Sequence, residues 1–211
     1  MRKLLVILLL LFAFSSIKAQ GIPLEYAVRM AMNMSQFDDN FPRSDAERQY
    51  RLGLMAGVVA SYMIYTQMAL SAELFYMTTG GIFKSSSQYY SSKSTYIFQY
   101  IALNFLYRYY VWRGLAAIIG PQIGFLLSAD QKWKSDHGSN TTDIKKEINP
   151  MALGLVLGAA WQFPCGVLLD FRYRMGLNNI WKSKFDYKMR QTMLVFTVAY
   201  VFNLLSPSGG F

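Results

Sequence analysis

The chain has 211 residues, enough for one ordinary domain or two very small ones. It is 53% apolar and 16% aromatic but only 16% charged, whereas a soluble domain carries roughly 25% charged residues. This composition argues against an ordinary soluble domain and indicates that much of the apolar surface faces lipid. The net charge of +9 would suit nucleic acid, but the export signal described next makes nucleic acid an unsuitable partner.

Residues 1–20 are organised like a secretory signal peptide. Residues 1–3 are a basic start, residues 4–14 are an unbroken apolar run, and small residues follow up to Ala19. The apolar run is too short for a permanent anchor, because spanning a bilayer takes about 20 apolar residues. The sequence therefore predicts cleavage near Ala19 and Gln20 and export of the mature chain.

The mature chain alternates with a period of two, which is typical of strands. In the last segment, Leu194, Phe196, Val198, Tyr200 and Phe202 share one face, and smaller residues occupy the other. In residues 167–175, aromatic and aliphatic residues alternate with Asp170, Arg172 and Arg174. Large apolar residues on one face, opposite small or charged ones, indicate the lipid-facing and lumen-facing sides of membrane strands.

Eight such segments follow one another, at about residues 24–35, 49–60, 66–78, 96–109, 114–128, 151–162, 166–177 and 191–202. Long polar connections at 35–48, 79–95, 129–150 and 178–190 alternate with short ones near 61–65, 110–113 and 163–165. This rhythm is typical of short periplasmic turns and long external loops. The sequence predicts an all-β protein, an eight-stranded antiparallel up-and-down transmembrane β-barrel spanning residues 21–202. Residues 203–211 would then be a C-terminal tail.

Several segments resemble PorT-like porin-family proteins, the outer-membrane β-barrel domain family. The similar segments are YAVRMAMNMSQF, ALSAELFYMTTGG, IIGPQIGFLLS, MALGLVLGAAWQF, LLDFRYRMGLNNI and LVFTVAYVF. The resemblance implies the barrel fold, the membrane location and a terminal assembly signal at Tyr200 and Phe202. One member of the family is linked to type IX secretion, but the resemblance does not imply that role for this chain. The fourth strand departs from the family, with Ala102 and Asn104 where an acidic residue and a proline are usual.

Charged residues fall on the predicted lumen-facing sides of the strands. They are Arg29, Arg51, Glu73, Arg108, Asp170, Arg172 and Arg174. Ionised groups in a barrel interior must pair or stay hydrated, so a structural plug of ion pairs is expected. The excess of arginine leaves an anion-attracting pore as the alternative. An eight-stranded barrel has an interior only wide enough for its own side chains, which disfavours conduction.

No catalytic, cofactor or metal site is expected. His137 is the only histidine, and its neighbours Asp136, Ser135 and Ser139 form a triad only if the fold brings them into catalytic geometry. One histidine is equally weak as a metal site. The single cysteine, Cys165, excludes an internal disulfide and is interpreted as a small residue in a turn.

The leading hypothesis is a non-enzymatic structural or accessory component of the outer membrane. Its expected partners are outer-membrane lipid, the barrel assembly machinery and a secretion or surface protein bound by the long loops. The loop segment IFKSSSQYYSSKS mixes aromatic, serine and lysine residues, a composition that suits adaptable recognition. A diffusion channel and a lipid-modifying enzyme are the competing hypotheses.

Overall fold

The computed structural model of the chain describes residues 24–39, 46–87, 90–135, 138–182 and 189–202. The predicted signal peptide and the predicted tail lie outside these residues. The strands are β1 (Leu24–Asp39), β2 (Ala46–Gln49), β3 (Arg51–Tyr65), β4 (Met68–Ser87), β5 (Tyr90–Trp112), β6 (Leu115–Ser135), β7 (Gly138–Asp143), β8 (Met151–Gln162), β9 (Val167–Gly176) and β10 (Met189–Val201). Across the described ranges, no helix is long and apolar enough to cross a membrane.

Eight of these strands form a closed antiparallel ring in the described part of the chain. Each pairs with its neighbour in the order β1, β3, β4, β5, β6, β8, β9, β10, and β10 pairs with β1 to close the ring. The small strands β2 and β7 add to β4 and β6 beyond the ring. Closure leaves no open edge, so the backbone groups of the ring find partners within the sheet, as lipid requires. The predicted all-β, eight-stranded fold is confirmed.

The alternation of side chains separates the two faces of the wall. On β10, Val195, Thr197 and Ala199 are buried, whereas Phe196 and Tyr200 are 53% and 50% exposed. The same division holds on the other ring strands, where the exposed large hydrophobic residues point outward. Since large apolar residues cover the outside, and buried charged and polar residues occupy the middle of the interior, the wall has the polarity of a membrane barrel rather than of a soluble sandwich.

Three of the predicted long loops are largely strand, which corrects their boundaries. Strands β4 and β5 stay paired from Gly80 and Ile97 out to Ser87 and Tyr90, where a loop was predicted at residues 79–95. Strand β1 continues to Asp39 and β6 to Ser135, with β2 and β7 inside the other two predicted loops. The outward face of these segments lies beyond the lipid, so it needs no apolar residues, and the alternation that reveals membrane strands disappears.

The lengthened strands form an external extension of the wall, comprising β2, β7 and the ends of β4, β5 and β6 at residues 80–87, 90–97 and 129–135. It lies at the end with the long connections, which faces outward in bacterial outer-membrane barrels. The opposite end has tight turns, in which Gly114 and Gly166 adopt φ values of +76° and +87°. Only glycine takes such angles without strain, which fixes these turn positions.

A charged residue at a lipid-facing position should destabilise the barrel more, the deeper that position lies in the membrane. Phe105 and Val111 both face outward on β5 and are 52% and 63% exposed, but Phe105 lies near mid-height and Val111 near the tight turns. We expect Phe105→Arg to lower the free energy of unfolding in lipid vesicles by about 2–4 kcal/mol, and Val111→Arg by about 0–1 kcal/mol. Urea titration followed by tryptophan fluorescence measures both. Equal costs at the two positions would contradict the assigned membrane depth.

Candidate functional site

Five charged side chains meet inside the barrel at mid-height. This lumen charge cluster consists of Arg29 on β1, Glu73 on β4, Arg108 on β5, and Asp170 and Arg172 on β9. All five are buried, with 1–4% exposure. They converge because each occupies an inward position of the alternating pattern on its own strand, and the ring brings those positions together.

Glu73 is the centre of the cluster. Arg172 donates to both of its oxygens, with Nη1 at 2.6 Å from Oε2 and Nη2 at 2.9 Å from Oε1. Arg29 also donates to Glu73, and Arg108 Nη2 lies 3.5 Å from Oε1. Bidentate guanidinium–carboxylate pairs are among the stronger and more directional hydrogen bonds in proteins. Glu73 therefore fixes three arginines from three different strands.

Asp170 closes the network on the other side. Arg172 Nη2 lies 3.0 Å from Asp170 Oδ2, and Arg29 forms an ion pair with the same carboxylate. Asn104 on β5 adds an amide donor 2.9 Å from Glu73 Oε2. Asn104 was noted in the sequence only as a departure from the family, and no charge pattern marks it as part of this network. Its inward position in the alternation is the signal that could have identified it.

Two of the predicted lumen residues lie outside the cluster. Arg174 is fully buried on β9 and, with Tyr100, lines a small cavity of about 10 Å³ nearer the external end. No acidic side chain in the described ranges forms an ion pair with Arg174, and its Nε has no hydrogen-bond partner there. Arg51 is half-buried at the external end of β3.

Glycines on β8 make room for the arginine side chains. A methyl group at Gly154 would lie 2.7 Å from Nε of Arg174, and one at Gly158 would lie 2.9 Å from Cγ of Arg172. These glycines belong to the small-residue face of the segment MALGLVLGAAWQF. Each of these glycines therefore leaves room for an arginine of the neighbouring strand β9, and at Gly158 a methyl group would also lie 2.4 Å from the backbone oxygen of Phe171.

The interior is filled rather than open. The cavity beside the cluster measures about 20 Å³ and is bordered by Arg29, Asn104, Gln122, Arg172 and Arg174, among others. A single water needs about 10–15 Å³ of such space, so the cavity has room for about one. A solute the size of a sugar or an amino acid does not fit.

Apolar layers cover the cluster from both ends. On the external side, Phe37, Phe83, Tyr96, Phe98 and Trp181 form an aromatic layer. Its ring centroids are separated by 5.6 Å between Phe37 and Phe83 and by 6.3 Å between Tyr96 and Trp181, within the range of favourable aromatic pairs. On the side of the tight turns, Leu106, Ile118, Leu168 and Val201 pack together.

Of the residues considered for chemistry, Ser139 is exposed on β7. Asp136 and His137 lie outside the described residues. Cys165 is exposed, with a free thiol, in the tight turn between β8 and β9. Over the described ranges, no group of three or more His, Cys, Asp or Glu side chains is arranged to hold a metal ion.

The profile of the outer membrane protein beta-barrel domain matches residues 15–182 of the 211. The chain belongs to this family. Membership places the protein among outer-membrane β-barrels and agrees with the lipid-facing wall described above. A search of curated protein sequences finds no significant match.

Solved structures with a similar fold include other outer-membrane proteins. Neisserial surface protein A is 14% identical, with a TM-score of 0.47, over 83% of this chain and 96% of that one. Ail, the attachment invasion locus protein of Yersinia pestis, is 12% identical, with a TM-score of 0.44, over 84% and 98%. OprG from Pseudomonas aeruginosa is 10% identical, with a TM-score of 0.43, over 85% and 96%.

The two residues predicted as an assembly signal lie at the end of the last strand of this family member. Tyr200 and Phe202 point outward, 50% and 63% exposed, and their rings form an edge-to-face pair with centroids 5.3 Å apart. The pair is exposed on the outward face at this end of the barrel. Recognition by that machinery stays a prediction.

Removing the central carboxylate should destabilise the barrel. Glu73→Gln leaves Arg29, Arg108 and Arg172 with Asp170 as the one remaining acid of the cluster, so we expect a loss of about 3–5 kcal/mol in the free energy of unfolding. The matched control is Glu147→Gln at an exposed carboxylate, expected within about 0.5 kcal/mol of wild type. Equilibrium unfolding in lipid vesicles measures both. Similar stability of the two variants would contradict the structural role of the cluster.

Proposed function

We propose that the protein is a non-enzymatic structural or accessory component of the outer membrane. The observation that carries this proposal is the filled lumen. In the residues that the structure describes, paired charges lie at mid-height with apolar layers above and below them, and the cavity beside the charges has room for about one water. We therefore infer that the outer wall and the external extension carry the function.

The external extension is the part best suited to bind a partner. It is a paired, multistranded platform, because β4, β5 and β6 continue together beyond the lipid-facing band. Its inward face is held by the aromatic layer, so its outward face is presented in a defined conformation. A preordered surface loses less conformational entropy on binding than a flexible loop does. We further propose that the protein belongs to the PorT-like group, which the six similar sequence segments support, with a secretion or surface protein as the partner bound by this platform.

Recovery of partners from native membranes tests the accessory role. Gentle solubilisation and purification of the full chain should recover stoichiometric protein partners. A variant with Asn-Gly in place of residues 83–94 removes the paired tip of the β4–β5 hairpin, connects the opposite residues Ile82 and Thr95 by a two-residue turn, and leaves the residues of the lumen charge cluster in place. We expect this variant to lose the partners while it keeps its folded, heat-modifiable migration on gels. A wild-type chain that always isolates alone would contradict the accessory role.

The same purified protein separates this proposal from a diffusion channel. In planar bilayers the folded wild-type barrel should give no single-channel conductance, because its interior is packed. A known porin, incorporated in equal amount, is the positive control. Stable conductance steps from the wild-type barrel would contradict the proposal and identify the protein as a channel.

A further inference from the structure

Three lysines lie side by side across the external extension. Lys84 on β4 is directly opposite Lys93 on β5, and Lys93 is directly opposite Lys134 on β6. Residues directly opposite in an antiparallel sheet share one face, so the three ammonium groups form a row, here called the cationic row. Lys132, two residues before Lys134, lies on the same face.

The cationic row faces away from the barrel interior. Phe83 and Tyr96 pack inward in the aromatic layer, so Lys84 and, by alternation, Lys93 point outward. Lys93 and Lys134 are exposed, and Lys84 is half-buried. The ammonium groups are therefore available to a ligand that stands beside the barrel wall.

The sheet itself supplies little compensation for these charges. Neighbouring strands are about 4.8 Å apart, and like charges directly opposite each other are destabilising. Glu47 is opposite Lys84 at the edge of the row, and Asp130 and Asp143 are opposite each other below Lys132.

Lys93 and Lys134 have no acidic residue opposite them on either neighbouring strand. No ion pair joins the lysines of the row to an acid in the part of the chain that the structure describes. The centre of the row therefore stays positive.

The height of the cationic row above the apolar band indicates which part of the outer leaflet surrounds it. On the same outward face of β5, Phe105 and Ile101 belong to the exposed apolar band that is assigned to lipid, with 52% and 40% exposure. Lys93 lies about 26 Å further along the strand, at about 3.3 Å per residue. With strands tilted by about 35–45°, the row stands about 20 Å above Ile101. That level is occupied by the phosphorylated saccharides of the outer leaflet, not by its acyl chains.

We propose that the cationic row binds phosphate groups on the saccharide of lipopolysaccharide molecules packed against the barrel. The inference deepens the proposed function, on which it rests, by naming the ligand class of the external extension. Lysine recognises phosphate as a point charge, and adjacent lysines about 4.8 Å apart suit closely spaced phosphates. A lipid-linked saccharide is favoured over a soluble polyanion because the lysines project sideways, from the face that meets lipid lower on the same strands.

Titration of the full-length folded barrel in detergent with purified, core-phosphorylated lipopolysaccharide tests this proposal. The variant Lys93→Ser/Lys134→Ser should raise the apparent Kd about tenfold or more, since each surface lysine contributes to attraction of anionic lipid. The control Lys145→Ser/Lys146→Ser removes the same charge from exposed positions elsewhere and should bind like wild type. Chemical removal of the phosphates should weaken wild-type binding to the level of the first variant.

Two results would overturn the proposal. One is equal affinity of wild type and Lys93→Ser/Lys134→Ser for the phosphorylated lipopolysaccharide. The other is tighter binding of a soluble sulfated dextran than of lipopolysaccharide, lost in the same variant, which would assign the row to a soluble polyanion. A barrel that isolates without protein partners but passes this titration would refute the accessory role and retain the lipopolysaccharide site.

Discussion

The rest of the barrel depends on the pairing of Glu73 and Asp170 with three arginines in its interior. A charge without a partner in this interior costs several kcal/mol, so each member of the lumen charge cluster is stable only while the others are present. The cluster joins β1, β4, β5 and β9 through side chains, in addition to the backbone ladder. The glycines of β8 leave room for Arg172 of the cluster and for Arg174, which lies outside it.

The lumen charge cluster also bears on where the proposed function is carried out. In the residues that the structure describes, paired charges occupy the middle of the lumen and apolar residues pack on both sides of them, which supports the proposed role without transport. The outer wall must be apolar where it faces lipid, but the external extension lies beyond the lipid and can carry polar and charged residues on its outward face. There the outward face carries lysines instead of leucines, although the strands and the pleat are continuous with the membrane part. One sheet thus presents an apolar surface to acyl chains and a basic surface above them.

The sequence alone predicts most of the membrane part and little of the external extension. Leu194 to Phe202 alternates because lipid and lumen impose opposite demands on neighbouring residues, and the ring strands were predicted from that pattern. Residues 80–97 lie beyond the lipid, so the alternation of apolar and polar side chains is lost there. The sequence therefore predicts a loop where the two strands are paired. The charged members of the cluster were identified as lumen-facing, but their partners depend on ring closure, which brings Glu73 against Arg172 across 99 positions of sequence. Asn104 carries no charge and was not recognised as a member.

Solvent access to the lumen is the most direct measure of a filled, charge-paired interior. In a Cys165→Ser background, a cysteine at Val195, which is buried beside the central cavity, should resist a small water-soluble thiol reagent applied from either side. A cysteine at the exposed Thr141 on β7 should react quickly in the same membranes. Protection at position 195, with rapid labelling at 141, is the predicted result. Comparable labelling at both positions would show a water-filled lumen and contradict the account.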